Sequence, residues 1–287
     1  GSFVTQPKPI NGLIVDGYIR NAEVWIETTN DFSNIGETKT SSNGQGGFSL
    51  ATSLTDYRVQ TFGGIDLDTN NSLEGLILIN HKIDELVSSN TPQNFIISPL
   101  TTADFFLSES LNKLTNPIST TINNILGLDQ NLNENITDHV GSLNNGFMFA
   151  EAYEKANQLT SIALSLTRLV NNLNTSDINS TEIFQIILDQ MVAIYQSSQN
   201  EIDIESSAFL DKLIDDVNLK YSLSLENGIK TKVKNMYKTF IPLIQVKPNL
   251  VATHGLFYFA TNTFFNDLVL VASNNDQENI YSRYSLN

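Results

Sequence analysis

Alternation of apolar and polar residues near the N-terminus is the feature that most constrains the fold. Apolar side chains recur at every second position of two short segments, at Leu13, Val15, Ala22, Val24 and Ile26. Because successive side chains of a strand point to opposite faces, this period predicts two strands that each bury one face. Asp16 and Gly17 lie between the segments and supply the turn.

The same alternation continues after a long polar loop. It resumes at Phe48 and Leu50, beyond Gly44, Gly46 and Gly47, and again from Tyr57 to Thr61, before Gly63 and Gly64. Short alternating runs separated by glycine turns are typical of antiparallel β-sandwiches. We therefore predict a β-sandwich domain over residues 1–98.

The period changes to that of helices after residue 98. Ser98 and Pro99 form a helix start, since serine caps the N-terminus and proline is tolerated in the first turn. Pro117 is expected to open a second short helix ending at Gly127, and Asn179 with Glu182 forms a capping box. Apolar stripes at steps of three and four then predict an α-helical bundle over residues 99–245.

Residues 246–287 leave two alternatives open. The short apolar runs 256–260 and 268–272 fit a hairpin or a strand pair added to the sandwich, and they fit a buried helix over 249–273 nearly as well. The fold class expected from the whole pattern is α+β, with an antiparallel, transthyretin-like β-sandwich followed by a helical bundle.

Composition excludes several classes of function. The formal net charge is −15, and such an acidic surface repels the phosphate backbone of nucleic acids. There are no cysteines, so thiolate metal sites and cysteine nucleophiles are ruled out. The longest apolar stretch, 250–272, contains His254, Asn262 and Asp267 and is too polar to span a bilayer.

One loop carries oxygen-bearing side chains at a spacing that suits calcium. They are Asp66, Asp68, Asn70 and Glu74. Calcium takes six to eight oxygen ligands from a flexible turn, so the loop is a candidate calcium site, with a plain solvated loop as the alternative. The spacing lacks the glycine and the full length of an EF-hand loop.

Two further features are candidate contacts for a partner. Trp25 is out of phase with Val24 and Ile26, so we expect it on the opposite face, either shielding the sheet or exposed to a ligand. A strip of lysines recurs every four residues at Lys230, Lys234 and Lys238. The strip either pairs with nearby acids such as Asp215 and Asp216 or docks an acidic partner.

Catalytic motifs are not apparent in the sequence. His81, His139 and His254 are far apart and lack the spacing of metal ligands. No nucleophile elbow, phosphate loop or dinucleotide fingerprint occurs, so we expect no enzymatic activity.

The order of short motifs resembles a module of bacterial surface proteins. The motifs are 16–24 around the first turn, 44–50 with its glycines, Gly63-Gly64 followed by Asp66, 97–102 with Ser98-Pro99, and Leu126 to Asp129. This order is similar to that in large calcium-dependent adhesins of the RTX type and in certain outer-membrane lipoproteins. Their β part resembles transthyretin-like, carboxypeptidase-regulatory or collagen-adhesin B sandwiches.

The resemblance implies an exported bacterial protein at the cell surface. In such relatives the loop after the second strand can hold calcium, but here that loop, 27–37, has only Glu27, Asp31 and Glu37 as acids. The expected function is non-catalytic, in adhesion or ligand capture, with a surface glycan or a protein as the partner. The alternatives are a periplasmic or lipoprotein-type domain that binds a small molecule or glycan where sandwich meets bundle, and an enzyme acting on polysaccharide.

Overall fold

The structure, a computed structural model, describes residues 7–28, 39–81, 95–174, 176–246, 260–275 and 279–285. The fold is mixed α+β, with about 48% helix and 16% strand. Strands occupy the N-terminal part and helices follow from residue 99, and no helix precedes residue 60 in the described ranges. This order of elements agrees with the sequence prediction.

Nine strands form three small sheets within the described ranges. They are β1 (Lys8–Ile14), β2 (Ile19–Arg20), β3 (Glu23–Glu27), β4 (Lys39–Ser41), β5 (Gly47–Thr52), β6 (Arg58–Phe62), β7 (Ile65–Asp66), β8 (Ile77–His81) and β9 (Phe95–Ile97). The largest sheet has the order β4-β3-β6-β8 and is antiparallel throughout. A second sheet has the order β5-β1-β9, in which β9 runs parallel to β1, and β2 pairs with β7.

The first strand buries a different set of residues from the one expected. β1 ends at Ile14, and its inward positions are Ile10, Gly12 and Ile14, while Leu13 is only half-buried. The prediction that Leu13 and Val15 share one buried strand face is therefore wrong. Gly12 explains why the even-numbered positions of β1 face inward. A Cβ there would lie 2.3 Å from the Phe95 carbonyl oxygen, so only glycine allows β9 to pair this closely.

Seven α-helices follow in the described part. They are α1 (Pro99–Asn112), α2 (Ile122–Leu126), α3 (Ala150–Leu173), α4 (Ser180–Ser198), α5 (Ser207–Lys220), α6 (Asn227–Phe240) and α7 (Phe265–Ala272). Two predicted helix starts are confirmed. Ser98 and Thr101 form a capping box at α1, and Asn179 and Glu182 form another at α4.

The short helix α2 differs from its prediction at one end. It starts at Ile122 with Thr121 as the N-cap, five residues after Pro117, and it stops at Gly127, whose φ of 67° is left-handed. Only the C-terminal boundary is confirmed. Proline permits a helix start but has no side-chain acceptor that could cap it, whereas the Thr121 hydroxyl accepts from the Asn124 amide.

The apolar core runs across the predicted boundary at residue 98. Buried residues of the strands, such as Val24 and Ile79, belong to the same contiguous cluster as Leu159 of α3 and Phe184 of α4. Polar contacts also cross the boundary. The amides of Ile77 and Ile79 in β8 donate to the hydroxyls of Ser180 and Thr102. Strands and helices therefore share one interior.

The C-terminal segment is helical where it is described. A π-helical turn, Ala260–Phe264, leads into α7, which packs on α3 and α6. Residues 268–272, one of the two runs for which strand or helix was open, are therefore helix. The other run, 256–260, lies almost wholly outside the described residues.

Candidate functional site

A groove opens at the seam between the β part and the helices. It has a volume of about 350 Å³, within the range of small-ligand sites. The end of β6, the turn before β8, the C-terminal half of α3 and the start of α4 line it. The lining residues are Phe62, Glu74, Gly75, Thr167, Arg168, Asn171, Asn172, Asp177, Ile178 and Asn179.

Side-chain and backbone hydrogen bonds hold the groove walls in place. The Asn171 side chain accepts from the Ile178 amide at 2.9 Å and donates to the Ile178 carbonyl at 2.8 Å, so one amide clamps the loop that connects α3 to α4. The Ser180 amide donates to the Gly75 carbonyl at 3.0 Å and ties α4 to the turn before β8. Hydrogen bonds thus connect the elements that line the groove, which favours a preformed site.

The rim of the groove combines an aromatic ring with charged groups. Phe62 is 38% exposed, and the acids Glu74 and Asp177 are exposed beside it. Arg168 is half-buried; its guanidinium stacks over Phe265 at 4.9 Å and donates to the Ser72 carbonyl. Burial lowers the pKa of Arg168, and the nearby Glu74 carboxylate opposes that shift. An apolar ring flanked by hydrogen-bonding groups is the chemistry that recognises polyhydroxylated ligands.

A second polar cluster lies where the first β turn meets α3. We call it the acidic junction and define it by Asp16, Asp66 and Asp68, together with Thr160 and Tyr153 of α3. Asp16 is 3% exposed and Asp66 is 6% exposed. Burial raises the pKa of Asp16 well above its usual range, and repulsion from Asp66 and Asp68 adds to the shift. Burial likewise raises the pKa of Asp66 to about 7.

Hydrogen bonds fix the geometry of the acidic junction. Asp66 accepts from the Asp68 amide at 2.9 Å and from the Thr69 hydroxyl at 2.7 Å. The Tyr153 hydroxyl donates to Asp68 Oδ2 at 3.0 Å. Both carboxylates press on the first turn, because a Cβ on Gly17 would lie 2.6 Å from Asp66 Oδ1 and 2.8 Å from Asp68 Oδ2.

The structure separates the four residues of the predicted calcium loop. Asp66 and Asp68 lie in the acidic junction, whereas Asn70 accepts from the Arg20 guanidinium at 2.7 Å and Glu74 lines the groove. Among the described residues, no three side chains of histidine, aspartate or glutamate form a ready-made metal site. Calcium binding by these four stays a prediction, and residues 29–38 of the other acidic loop lie outside the described ranges.

The candidate partner contacts fall into two kinds. Trp25 lies opposite Gln60 in the sheet and is 1% exposed, so its ring is not on the surface as the ligand-contact alternative expects, and contact of Trp25 with a partner stays a prediction. The lysine strip is engaged in ion pairs. Lys230 and Lys234 both pair with Asp215, at 3.4 and 2.7 Å, and Lys238 pairs with Asp211 at 3.2 Å.

Pairing changes the interpretation of the lysine strip. Asp215 lies between two lysines, which lower its pKa against the opposing effect of burial. The other acid named from the sequence, Asp216, pairs instead with Lys212 at 2.6 Å. The strip is therefore part of the contact between α5 and α6, which is the solvated-face alternative.

Sequence reasoning missed most of the groove and three of the five residues of the acidic junction, namely Asp16, Tyr153 and Thr160. In the sequence Asp16 has only the signature of a turn residue, and Thr160 belongs to no motif. Asn171 carries no signal in an asparagine-rich chain. The one available signal was the pairing of an Asp-Gly turn with a Gly-Gly-x-Asp segment, two acid-bearing turns that a sandwich can bring to one end.

Known proteins provide no further assignment of either site. Among the described residues, no helix has both the length and the apolarity to cross a membrane. Comparison of the chain with models of known families, with curated proteins and with solved structures gives no match.

Proposed function

We propose that this chain is a non-catalytic, ligand-binding module of an exported bacterial cell-surface protein, and that the groove at the seam captures a neutral glycan. The observation that carries the proposal is the partly exposed Phe62 ring at the rim of a polar concavity. A sugar presents an apolar ring face and a set of hydroxyls. Phe62 supplies a surface for the first, and Glu74, Arg168 and Asp177 supply partners for the second.

Charge favours a neutral rather than an anionic ligand. The chain has a net charge of −15, and two acids, Glu74 and Asp177, lie at the groove. The guanidinium of Arg168 is the one cationic group among the lining residues, and it already faces Glu74. An acidic ligand would meet repulsion from both carboxylates.

The cell-surface part of the proposal is supported by the sequence resemblance. The motifs that carry this resemblance include the glycine turns and the Ser98-Pro99 helix start. We assign the β part to the transthyretin-like class of sandwiches as part of the same proposal. Its support is the pair of sheets, β4-β3-β6-β8 and β5-β1-β9, with buried residues such as Val24 and Ile10 on their inner positions.

A panel of neutral oligosaccharides, followed by calorimetric titration of the best binder, tests the proposal. The Phe62→Ala variant is expected to bind at least about tenfold more weakly, a loss of about 1.4 kcal/mol. Leu54→Ala is the matched control, since Leu54 is another exposed apolar residue of the β part, at 49%, outside the groove. Wild-type affinity in Phe62→Ala, or no binding to any neutral glycan, would refute the glycan proposal.

A polysaccharide-acting enzyme is the second candidate, because two carboxylates line one groove. Glycoside hydrolases use such a pair as acid and as base or nucleophile. Incubation of the bound oligosaccharide with the wild type, followed by chromatography of the products, separates the two functions. We expect an intact oligosaccharide; cleavage that is lost in both Glu74→Gln and Asp177→Asn would establish the enzyme instead.

A further inference from the structure

We propose that the acidic junction binds a hard divalent cation of the calcium type, held by Asp16, Asp68 and the Thr160 hydroxyl. This site differs from the calcium loop suggested by the sequence, since it omits Asn70 and Glu74 and includes residues from the first turn and from α3. It is also independent of the glycan groove.

The first argument is the state of the Asp16 side chain. It is 3% exposed, and its Oδ1 atom has no hydrogen-bond partner in the described part of the protein. An ionised carboxylate in such a place is strongly destabilising unless a positive charge or several donors compensate it. No lysine, arginine or histidine of the described residues contributes to the electrostatics of Asp16 or Asp66.

The second argument is the Thr160 hydroxyl, which is not an acid. Thr160 is 4% exposed and its Oγ1 atom also lacks a partner. The Thr160 hydroxyl interacts with the Asp16 carboxylate and lowers its pKa, yet neither Asp16 Oδ1 nor Thr160 Oγ1 makes a hydrogen bond of good geometry in the described part of the protein. One bound cation would satisfy two neighbouring buried oxygens that both lack a well-formed hydrogen bond.

The third argument is the concentration of negative charge around this point. Asp66 uses both oxygens to hold its own turn, so it contributes charge and positions Asp68. Asp68 accepts from Tyr153, and a carboxylate has lone pairs enough to accept that bond and bind an ion. Burial and repulsion raise the pKa of Asp16, because both disfavour its ionised form. A bound cation would stabilise that ionised form.

The donor set selects the kind of cation. All three groups are oxygens, which hard cations prefer over the softer transition metals. Two turns and a helix supply them, and such a frame suits the variable coordination of calcium better than the strict octahedron of magnesium. The ion would join the first β turn to α3, and so the β part to the helices.

Thermal unfolding with calcium, with magnesium and with a chelator, at pH 7.5, tests the site. Saturating calcium is expected to raise the Tm of the wild type by about 5 °C, and magnesium by less. Asp16→Asn should remove the response, and its Tm in chelator should equal or exceed that of the wild type, because the repulsion is gone. Thr160→Val should weaken the response to calcium.

Three control variants locate the ion. Asp189→Asn removes a surface carboxylate paired with Lys113 and should keep the full response. Asn70→Ala should keep it too, which distinguishes this site from the loop suggested by the sequence. Phe62→Ala should lose glycan binding but keep the calcium response, so the failure of one proposal is separable from the failure of the other.

Terbium luminescence provides a readout that does not depend on stability. The Tyr153 hydroxyl is hydrogen-bonded to Asp68, so its ring is expected to sensitise the luminescence of a terbium ion in the junction. Calcium should displace the terbium and remove the luminescence. Equal Tm values of the wild type in calcium, magnesium and chelator would overturn the proposal and leave a water or a neutral carboxyl in the junction. A full calcium response in Asp16→Asn would overturn it as well.

Discussion

Individual polar residues inside this protein carry most of its unexpected chemistry. His139 is fully buried beside the Tyr153 ring, and both of its ring nitrogens lack hydrogen-bond partners in the described part. Burial lowers the pKa of His139 to about 4, against the opposing effect of Asp138. The imidazole is therefore neutral in the folded protein at physiological pH.

His139 makes the stability of the protein depend on pH in a defined window. The unfolded chain binds a proton at this residue below pH ~6.5, whereas the folded chain binds it only near pH 4. The free energy of unfolding therefore falls as the pH drops through that window, by about 3 kcal/mol at most. Urea unfolding at pH 7, 6, 5 and 4 measures the loss.

The variant His139→Phe isolates this contribution, because phenylalanine keeps a buried ring but does not titrate. The difference in unfolding free energy between variant and wild type should grow by about 3 kcal/mol between pH 7 and pH 4. Effects of other groups such as Asp66 are common to both proteins and cancel in the difference. A difference that stays constant with pH would show that His139 is not the group responsible.

At the level of elements, the edge of the main sheet is closed by helix N-termini. β8 is the edge strand of the sheet β4-β3-β6-β8. Hydroxyls of α1 and α4 accept hydrogen bonds from backbone amides along it. The Thr101 hydroxyl donates to the Ile79 carbonyl at 2.7 Å and accepts from the Ser98 amide at 2.9 Å. An edge strand satisfied in this way offers no row of free backbone groups to another chain.

Replacement of Thr101 by valine is a small change in shape, but it should lower the free energy of unfolding considerably. The change preserves shape but leaves the Ile79 carbonyl and the Ser98 amide without this partner in a buried place, which we expect to cost about 2–3 kcal/mol. Thr167→Val is the matched control. The Thr167 hydroxyl donates only within its own helix, to the Ala163 carbonyl, so a loss under about 1 kcal/mol is expected.

Chemical denaturation of both variants measures the contrast. If Thr101→Val and Thr167→Val lose equal stability, the hydroxyl bridge between α1 and β8 does not stabilise the sheet edge.

At the level of the whole molecule, the β part and the helices share one core. The contiguous apolar cluster includes strand residues and helix residues, and the seam is further tied by hydrogen bonds from β8 to Ser180 and Thr102. Two parts that share an interior lose that interior together. We therefore expect them to unfold in one transition.

The single tryptophan makes this prediction simple to check. Trp25 lies in β3 and reports on the sheet by fluorescence, while circular dichroism at 222 nm reports mainly on the helices. The two thermal transitions should have the same midpoint and width. A fluorescence transition that precedes the loss of helix would show that the β part is an independent domain, as a boundary at residue 98 implies.

Local signals were sufficient for the boundaries of several elements. The Ser98 and Asn179 caps and the left-handed Gly127 stop were all predicted from the sequence and are confirmed. Such features depend on residues within one turn of each other, so the sequence carries them directly. The helix start predicted at Pro117 is wrong because proline only permits a helix, and the residue that caps α2 comes later, at Thr121.

The sequence by itself therefore determined the α+β order, the caps and the acidic character of the chain. Only the tertiary structure decided that Trp25 is buried, that the lysine strip pairs with Asp211 and Asp215, and that Asp16 meets Thr160 across 144 positions of sequence. The reason is physical: hydrogen bonds within a turn join neighbours in the chain. Burial, ion pairing and the shape of a groove depend on which distant surfaces pack together.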